Sequence, residues 1–225
     1  MPSPFPEASV ATPDFAAARA KLIEHLRHEI KDERVLKAME HIPREMFVPS
    51  SSQQEAYEDR PLPIGLGQTI SQPFIVALMT EALELKGQEK VLEVGTGSGY
   101  QAAILAELVK VVITVERLGT LARQAEGVLR QLGYNNVEVH VAGPVIGWPE
   151  EAPYDAIIVT AAAPVVSPEL LEQLAVGGRM VIPVGSRFEQ QLVKVVKRQA
   201  GYQHENLGGC RFVPLIGQGA WQEEW

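Results

Sequence analysis

Three glycines at alternate positions, Gly95, Gly97 and Gly99, restrict the fold of this chain more than any other feature of its sequence. They end a short apolar run within the stretch KVLEVGTGSGY, which extends from Lys90 to Tyr100. Glycine adopts backbone angles that are closed to other residues, and it lets a ligand come into contact with the main chain. The stretch therefore predicts a strand, a tight ligand-facing turn, and a helix whose first N–H groups point into the same space.

The spacing of these glycines and two nearby glutamates indicates a nucleoside pocket. A dinucleotide site usually shows G-x-G-x-x-G, whereas this chain has G-x-G-x-G preceded by Glu93, so no pyrophosphate has to be bound. The apolar run 111–115 ends in Glu116, at the distance along a βαβ unit where a carboxylate binds the ribose hydroxyls. Taken alone, the glycines could form an ordinary tight turn and Glu116 could be a solvated carboxylate. Their combination favours a nucleoside.

This pattern resembles the glycine turn of class I S-adenosylmethionine-dependent methyltransferases. Three further segments narrow the resemblance to the protein-L-isoaspartate O-methyltransferase family: RPLPIGLGQTISQP at Arg60–Pro73, YDAIIVTAAA at Tyr154–Ala163 and CRFVPLIG at Cys210–Gly217. The likeness extends from about Pro43 to Trp221, and TISQP is its most diagnostic part.

The resemblance implies methyl transfer from S-adenosyl-L-methionine to the free carboxylate of L-isoaspartyl residues in damaged proteins and peptides. The methyl ester then closes without help to a succinimide, which reopens partly to normal aspartate. Because the accepting carboxylate has a pKa of about 3.5 to 4, it is ionised at neutral pH and no general base is required. We therefore expect catalysis by alignment of the reacting atoms and exclusion of water, without a catalytic triad or a metal.

The same resemblance and the glycine turn assign the site residues. The expected cofactor-binding residues are Gln68, Glu93, Gly95, Thr96, Gly97, Ser98, Gly99, Glu116, Ala142, Gly143 and Thr160. Thr69, Ile70 and Ser71 are expected to bind the substrate, and Ser71 is the expected catalytic residue. The alternative for Ser71 is a purely structural N-cap of the helix that begins at Pro73, where N–H groups could also bind an anion.

One loop departs from the family pattern. The resemblance calls for Gly-Asp-Gly ahead of Gly-Trp-Pro, and this chain has Ala142-Gly143-Pro144 ahead of residues 147–149. In the family, the missing carboxylate would face the exocyclic amine of adenine, and Pro144 additionally lacks a backbone N–H. Either the adenine is held mainly by apolar packing in an active enzyme, or turnover has been lost. We favour the first, because the other motifs are intact.

The order of elements predicts an α/β fold, with a doubly wound, mostly parallel sheet in a Rossmann-like methyltransferase core and an N-terminal helical layer. The predicted strands are 90–94, 111–116, 137–141, 156–160, 179–184, 191–197 and 211–215, with a turn at Val176-Gly177-Gly178. We expect a disordered tail at 1–13 and a single domain at 14–225. This domain divides into a helical layer (14–60), a substrate loop and helix start (61–80), the cofactor-binding core (81–200), and a C-terminal strand and tail (201–225).

Composition limits the compartment and the partners. A net charge of −8 and a pI of about 5.2, without a basic run, argue against nucleic acid as a partner. The N-terminus lacks a signal-peptide pattern, and no apolar run approaches the ~18 residues of a membrane span. The single cysteine, Cys210, fits a reducing compartment, so we expect a cytoplasmic monomer. Two alternatives stay open: a class I methyltransferase for another acceptor, and a non-catalytic nucleoside-binding module.

Overall fold

The computed structural model of the protein describes residues 14–222, so the predicted disordered tail at 1–13 lies outside the described residues. Helices and strands alternate through the middle of the chain, as predicted. In chain order the elements are α1 (Phe15–Leu26), α2 (Glu33–His41), β1 (Leu62–Gly65), β2 (Gln68–Ile70), α3 (Pro73–Ala82), β3 (Lys90–Val94), α4 (Tyr100–Ala106), β4 (Val111–Glu116), α5 (Gly119–Gln131), β5 (Val137–Val141), β6 (Tyr154–Val159), α6 (Pro168–Gln173), β7 (Leu174–Gly185), β8 (Gln190–Arg198) and β9 (Gly201–Cys210).

The main sheet has seven strands in the order β5-β4-β3-β6-β7-β8-β9. The strands from β5 to β7 are parallel, and β8 and β9 add an antiparallel hairpin at one edge. After β3 the chain builds β4 and β5 on one side, then crosses over to place β6 on the other. The strand order therefore reverses between β3 and β6, which is where doubly wound sheets bind ligands. This topology confirms the predicted fold class.

The N-terminal helices form a layer that packs against the core next to α4. Leu22, Leu26 and Leu36 are buried in one apolar cluster with Tyr100 and Ala103 of α4. Burial of these side chains supplies the main stabilisation of the layer, since each fully buried large apolar side chain contributes about 1.5–3 kcal/mol. The layer thus fixes the helix that follows the glycine turn.

The connection between α2 and α3 contains several short elements of regular structure. It contains two short 3-10 helices, Arg44–Phe47 and Ser50–Glu55, followed by the β1–β2 hairpin. Gly65 and Gly67 adopt φ angles of +90° and +71° on either side of the hairpin tip, a region that favours glycine. The hairpin was not predicted. It carries the segment 68–70 to the edge of the sheet.

Two predictions about the C-terminal part were wrong. The last strand is Gly201–Cys210 rather than residues 211–215, which lie in no strand of the sheet. The strand was missed because it is a polar edge strand exposed along most of its length, and it contains two glycines near its end. The predicted turn at 176–178 lies inside β7. The pairing of β7 with β6 shifts register between Tyr154 and Ala156, so the glycines of β7 are accommodated in the irregular part of the strand.

Candidate functional site

A cavity lies at the carboxyl ends of the central parallel strands, where the strand order reverses. All of the predicted site residues except Gly99 line this cavity. Those residues are Gln68, Thr69, Ile70, Ser71, Glu93, Gly95, Thr96, Gly97, Ser98, Glu116, Ala142, Gly143 and Thr160. The fold therefore brings together the substrate segment, the glycine turn and the ends of β4, β5 and β6.

The glycines of the turn have different tasks. Gly95 has φ +102°, and a Cβ there would lie 2.3 Å from Thr160 Oγ1, so no side chain fits. Thr160, which directly follows β6, makes this contact, and its hydroxyl donates a hydrogen bond of 2.5 Å to the Gly95 carbonyl oxygen. Gly99 has φ +90° and faces α5, where a Cβ would come within 3.2 Å of the Ala125 Cβ. Gly99 therefore permits close helix packing and makes no contact with the cavity.

Glu116 is buried, with 6% of its surface exposed, so the reading as a solvated strand-end carboxylate was wrong. One carboxylate oxygen accepts a hydrogen bond of 2.9 Å from the Gly97 backbone N–H. The other accepts a hydrogen bond of 2.9 Å from the Leu118 backbone N–H. An ionised carboxylate has about four lone-pair sites. Glu116 therefore ties the glycine turn to the end of β4 and keeps acceptor capacity for two hydroxyl groups.

Glu93 lines the cavity and is completely buried. Desolvation raises the pKa of Glu93 to about 8, a hydrogen bond from Thr114 opposes the shift, and the negative charge of Glu116 adds to it. Thr114 Oγ1 lies 2.5 Å from Glu93 Oε2 and 2.6 Å from Thr96 Oγ1, which links the acid to the glycine turn. Glu93 Oε1 has no hydrogen-bond partner within residues 14–222. Glu93 thus adds to the lining of the cavity a buried carboxyl group with one oxygen that has no partner among the described residues.

The segment before α3 tests one of the two readings of Ser71, that of a helix N-cap. The N-cap of α3 is Gln72, and no side chain makes the capping hydrogen bond, so the reading of Ser71 as an N-cap was wrong. Asp59 takes the place of a capping residue: its carboxylate accepts a hydrogen bond of 2.8 Å from the Phe74 backbone N–H and one of 3.0 Å from Gln72. The Phe74 N–H is therefore not available for a substrate anion. Ser71 lines the cavity, and its side chain does not cap α3.

Arg44 is a residue that the sequence reasoning missed. Its guanidinium is fully buried beneath the substrate segment and donates a hydrogen bond of 2.8 Å to the Ser71 carbonyl oxygen. A second hydrogen bond of 2.8 Å goes to the Ala56 carbonyl oxygen, and the group lies 4.7 Å from the centre of the Tyr100 ring. Desolvation lowers the pKa of Arg44. Nothing in the local sequence distinguishes this arginine from an exposed one, because its burial depends on the fold.

The C-terminal segment also lines the cavity, through residues 213–217. Ala162 fixes it after β6, since its N–H donates to the Val213 carbonyl oxygen and its carbonyl accepts from the Leu215 N–H, both at 2.8 Å. The motif CRFVPLIG was the available signal, but its apolar run predicted a strand at 211–215, whereas residues 213–217 line the cavity.

The loop that departs from the family pattern lines the cavity beside Glu116. The Ala142 N–H donates a hydrogen bond of 2.9 Å to the Glu116 carbonyl oxygen, which joins the ends of β5 and β4. A Cβ added at Gly143 would meet nothing within 4 Å, so the missing side chain leaves open space. The loop 142–147 contributes only main chain and apolar side chains to this part of the cavity.

The doubly wound sheet, the glycine turn and the buried Glu116 define a nucleoside-binding α/β protein of the class I methyltransferase type. The residues fit such a ligand, because Glu116 keeps acceptor sites and Glu93 Oε1 has no hydrogen-bond partner among the described residues. The sequence profile described as Protein-L-isoaspartate(D-aspartate) O-methyltransferase (PCMT) matches residues 17–220. The chain belongs to the protein-L-isoaspartate O-methyltransferase family.

Individual relatives agree with this family assignment. The chain is 53% identical over 211 residues to protein-L-isoaspartate O-methyltransferase 1 of Syntrophobacter fumaroxidans, covering 93% of this chain and 99% of the relative. It is 54% identical over 214 residues to the Geobacter metallireducens enzyme of the same family, covering 94% and 99%.

Solved structures of the family have the same fold. One protein-L-isoaspartate O-methyltransferase superposes with a TM-score of 0.82 at 30% identity, covering 90% of this chain and 67% of that one. A Plasmodium falciparum structure described as the same enzyme in complex with S-adenosyl-L-homocysteine gives a TM-score of 0.76 at 25% identity, covering 87% and 96%. Separately, none of the helices described within residues 14–222 has the length and apolar character needed to cross a bilayer.

Proposed function

We propose that this chain transfers a methyl group from S-adenosyl-L-methionine to the free carboxylate of L-isoaspartyl residues in damaged proteins and peptides. The observation that carries the proposal is that a single cavity holds both the nucleoside-binding turn and the segment Thr69–Ser71. A methyl donor and its acceptor must meet in one water-poor space, because alignment at close range supplies most of the rate.

The residues of the cavity support a mechanism without a general base. The bound cofactor supplies an electrophilic methyl group. Glu116 orients the ribose through its free lone pairs, and the glycine turn lets the main chain approach the ligand. Ser71, free of capping duty, donates its hydroxyl proton in a hydrogen bond to the acceptor carboxylate. The segment 213–217 and the hairpin segment 68–70 enclose the reacting atoms and limit access of water.

The product of this reaction leads to repair of the substrate. Methylation turns the α-carboxylate of the isoaspartyl residue into an ester with a better leaving group. The neighbouring backbone nitrogen then attacks the ester carbonyl, methanol leaves, and a succinimide forms without further help from the protein. Hydrolysis of the succinimide gives aspartyl and isoaspartyl products, so repeated turnover converts part of the damaged material to aspartate.

We also propose that the protein acts as a monomer in the cytoplasm and does not bind nucleic acids. The net charge of −8 supports this, because it repels a phosphate backbone. The single cysteine is consistent with a reducing compartment. Light scattering of the purified protein, with and without a nucleic acid duplex, tests the oligomeric state and the absence of a complex.

An acceptor panel tests the proposed activity. Radiolabelled cofactor is offered with an isoaspartyl peptide, with the matched aspartyl peptide, and with small-molecule carboxylic acids. The proposal predicts base-labile label in the isoaspartyl peptide only. Transfer to another acceptor would favour a different class I methyltransferase. Binding of S-adenosyl-L-homocysteine without transfer to any acceptor would favour a non-catalytic nucleoside-binding module.

A further inference from the structure

The end of the cavity beyond Glu116 is where the base of the nucleoside must lie. Glu116 marks the ribose position at the end of β4, and the glycine turn lies on its β3 side. On the other side, β5 pairs with β4 through Val141 and Glu116, and the loop 142–147 continues from it along the cavity. A nucleoside whose ribose contacts Glu116 therefore places its base against this loop.

The side chains at this end cannot accept a hydrogen bond from the base. The loop reads Ala-Gly-Pro-Val-Ile-Gly from 142 to 147, and none of these side chains carries a polar atom. Arg117 also lines the cavity here, but a guanidinium only donates hydrogen bonds. Glu116 is the remaining side-chain acceptor, and both of its oxygens already bind backbone N–H groups and are needed for the ribose.

From this arrangement we propose that the site does not recognise the exocyclic 6-amino group of the base. The base is held by apolar packing against the loop 142–147, and the amine contributes little to affinity. The inference rests on the proposed use of S-adenosyl-L-methionine and concerns only how its base is recognised. Gly143 is the position where a longer side chain could add such recognition, since it lines the cavity and a Cβ there would meet nothing within 4 Å.

Calorimetry with two ligands tests the inference. One is S-adenosyl-L-homocysteine, and the other is the same nucleoside thioether with unsubstituted purine in place of adenine. We expect the two dissociation constants of the native protein to agree within about threefold, because an amine without a protein acceptor loses little when it is removed. A preference of about tenfold or more for the adenine ligand would overturn the inference, since a backbone acceptor would then recognise the amine.

Variants at Gly143 provide the matched comparison. Gly143→Asp places a carboxylate acceptor in the open space, and its φ lies outside the left-handed region, so the side chain is tolerated. We expect this variant to prefer the adenine ligand by about 10- to 150-fold, the effect of one charge-assisted hydrogen bond. Gly143→Ala adds a side chain without an acceptor and should keep the native ratio.

Two further outcomes would contradict the inference in distinguishable ways. An unchanged ratio in Gly143→Asp would mean that the base does not lie against Gly143, and the inference would be wrong while the proposed function stood. Failure of both ligands to bind the native protein would overturn the proposed cofactor as well as the inference. Methyl transfer in the acceptor panel does not depend on this ratio, so the two proposals fail separately.

Discussion

The buried carboxylate of Glu116 accepts hydrogen bonds from Gly97 and Leu118, and we propose that it also binds the ribose. We expect Glu116→Ala to weaken S-adenosyl-L-homocysteine binding at least about tenfold, because each hydrogen bond to a charged group contributes about 1.5–3 kcal/mol. The variant should also melt at a lower temperature, since the Gly97 and Leu118 N–H groups lose their acceptor. Calorimetry measures the affinity and thermal unfolding the stability. Glu126→Ala, which removes a surface carboxylate paired with Arg130, is the matched control and should change neither appreciably.

Glu93 makes the stability of the ligand-free protein depend on pH. Its pKa is raised to about 8 in the folded protein, and an unfolded glutamate has a pKa of about 4.3. Between these values the folded state holds a proton that the unfolded chain has released. The stabilisation is therefore complete below the unfolded pKa and is lost as pH rises through the folded pKa, by at most about 1.4 kcal/mol per pH unit.

The Glu93→Gln variant tests this linkage, because an amide has the shape of the protonated acid and does not titrate. Urea unfolding between pH 5 and pH 8, within the window of the cited shift, measures the free energy of unfolding of both proteins. We expect the native protein to lose stability towards the upper end and the variant to lose less. Parallel curves for the two proteins would mean that Glu93 does not carry the effect.

At the scale of elements, the segment that precedes α3 is held by neighbours on both sides, so Ser71 is not needed to cap α3. Arg44 fixes its main chain from inside the protein, and Asp59 satisfies the start of α3. We expect Ser71→Ala to lower turnover by about 10- to 150-fold, which corresponds to one hydrogen bond to a charged group. Its affinity for S-adenosyl-L-homocysteine and its melting temperature should stay unchanged, because Ser71 does not cap α3.

Steady-state kinetics with an isoaspartyl peptide, together with thermal unfolding, separates the two roles of Ser71. Glu81→Ala is a control within α3, because the Glu81 carboxylate accepts hydrogen bonds from the Lys31 and Asp32 backbone N–H groups and does not line the cavity. It should lower stability without the same loss of turnover. A Ser71→Ala variant with normal turnover and a reduced melting temperature would contradict the substrate role.

Across the whole molecule, the sequence predicted the parallel strands much better than the edges. The bounds of β3, β4 and β5 agree with the predicted ranges, because these strands carry compact runs of β-branched residues between clear turn signals. The edge strand β9 and the β1–β2 hairpin were not predicted, since their pairing depends on neighbours that are distant in sequence or on short glycine-bounded segments.

The site residues show the same difference: those at strand ends could be predicted from the local sequence, and those brought in by tertiary packing could not. Residues at the ends of predicted strands, such as Glu116 and Thr160, were identified because parallel strands end at one edge of the sheet. Arg44 and the segment 213–217 could not be placed, because they reach the site through tertiary packing. Gly99, which the glycine motif assigned to the cofactor, packs closely against α5 and is not among the residues that line the cavity.

The central claim is that methyl transfer by this chain begins the repair of isoaspartyl residues. The most direct test follows an isoaspartyl peptide by chromatography during prolonged incubation with the protein and S-adenosyl-L-methionine. The account predicts that the isoaspartyl peptide declines while the aspartyl peptide of the same sequence accumulates, with a succinimide in between. It also predicts no change when the cofactor is omitted. An isoaspartyl peptide that persists unchanged with fresh cofactor and folded protein would contradict the account.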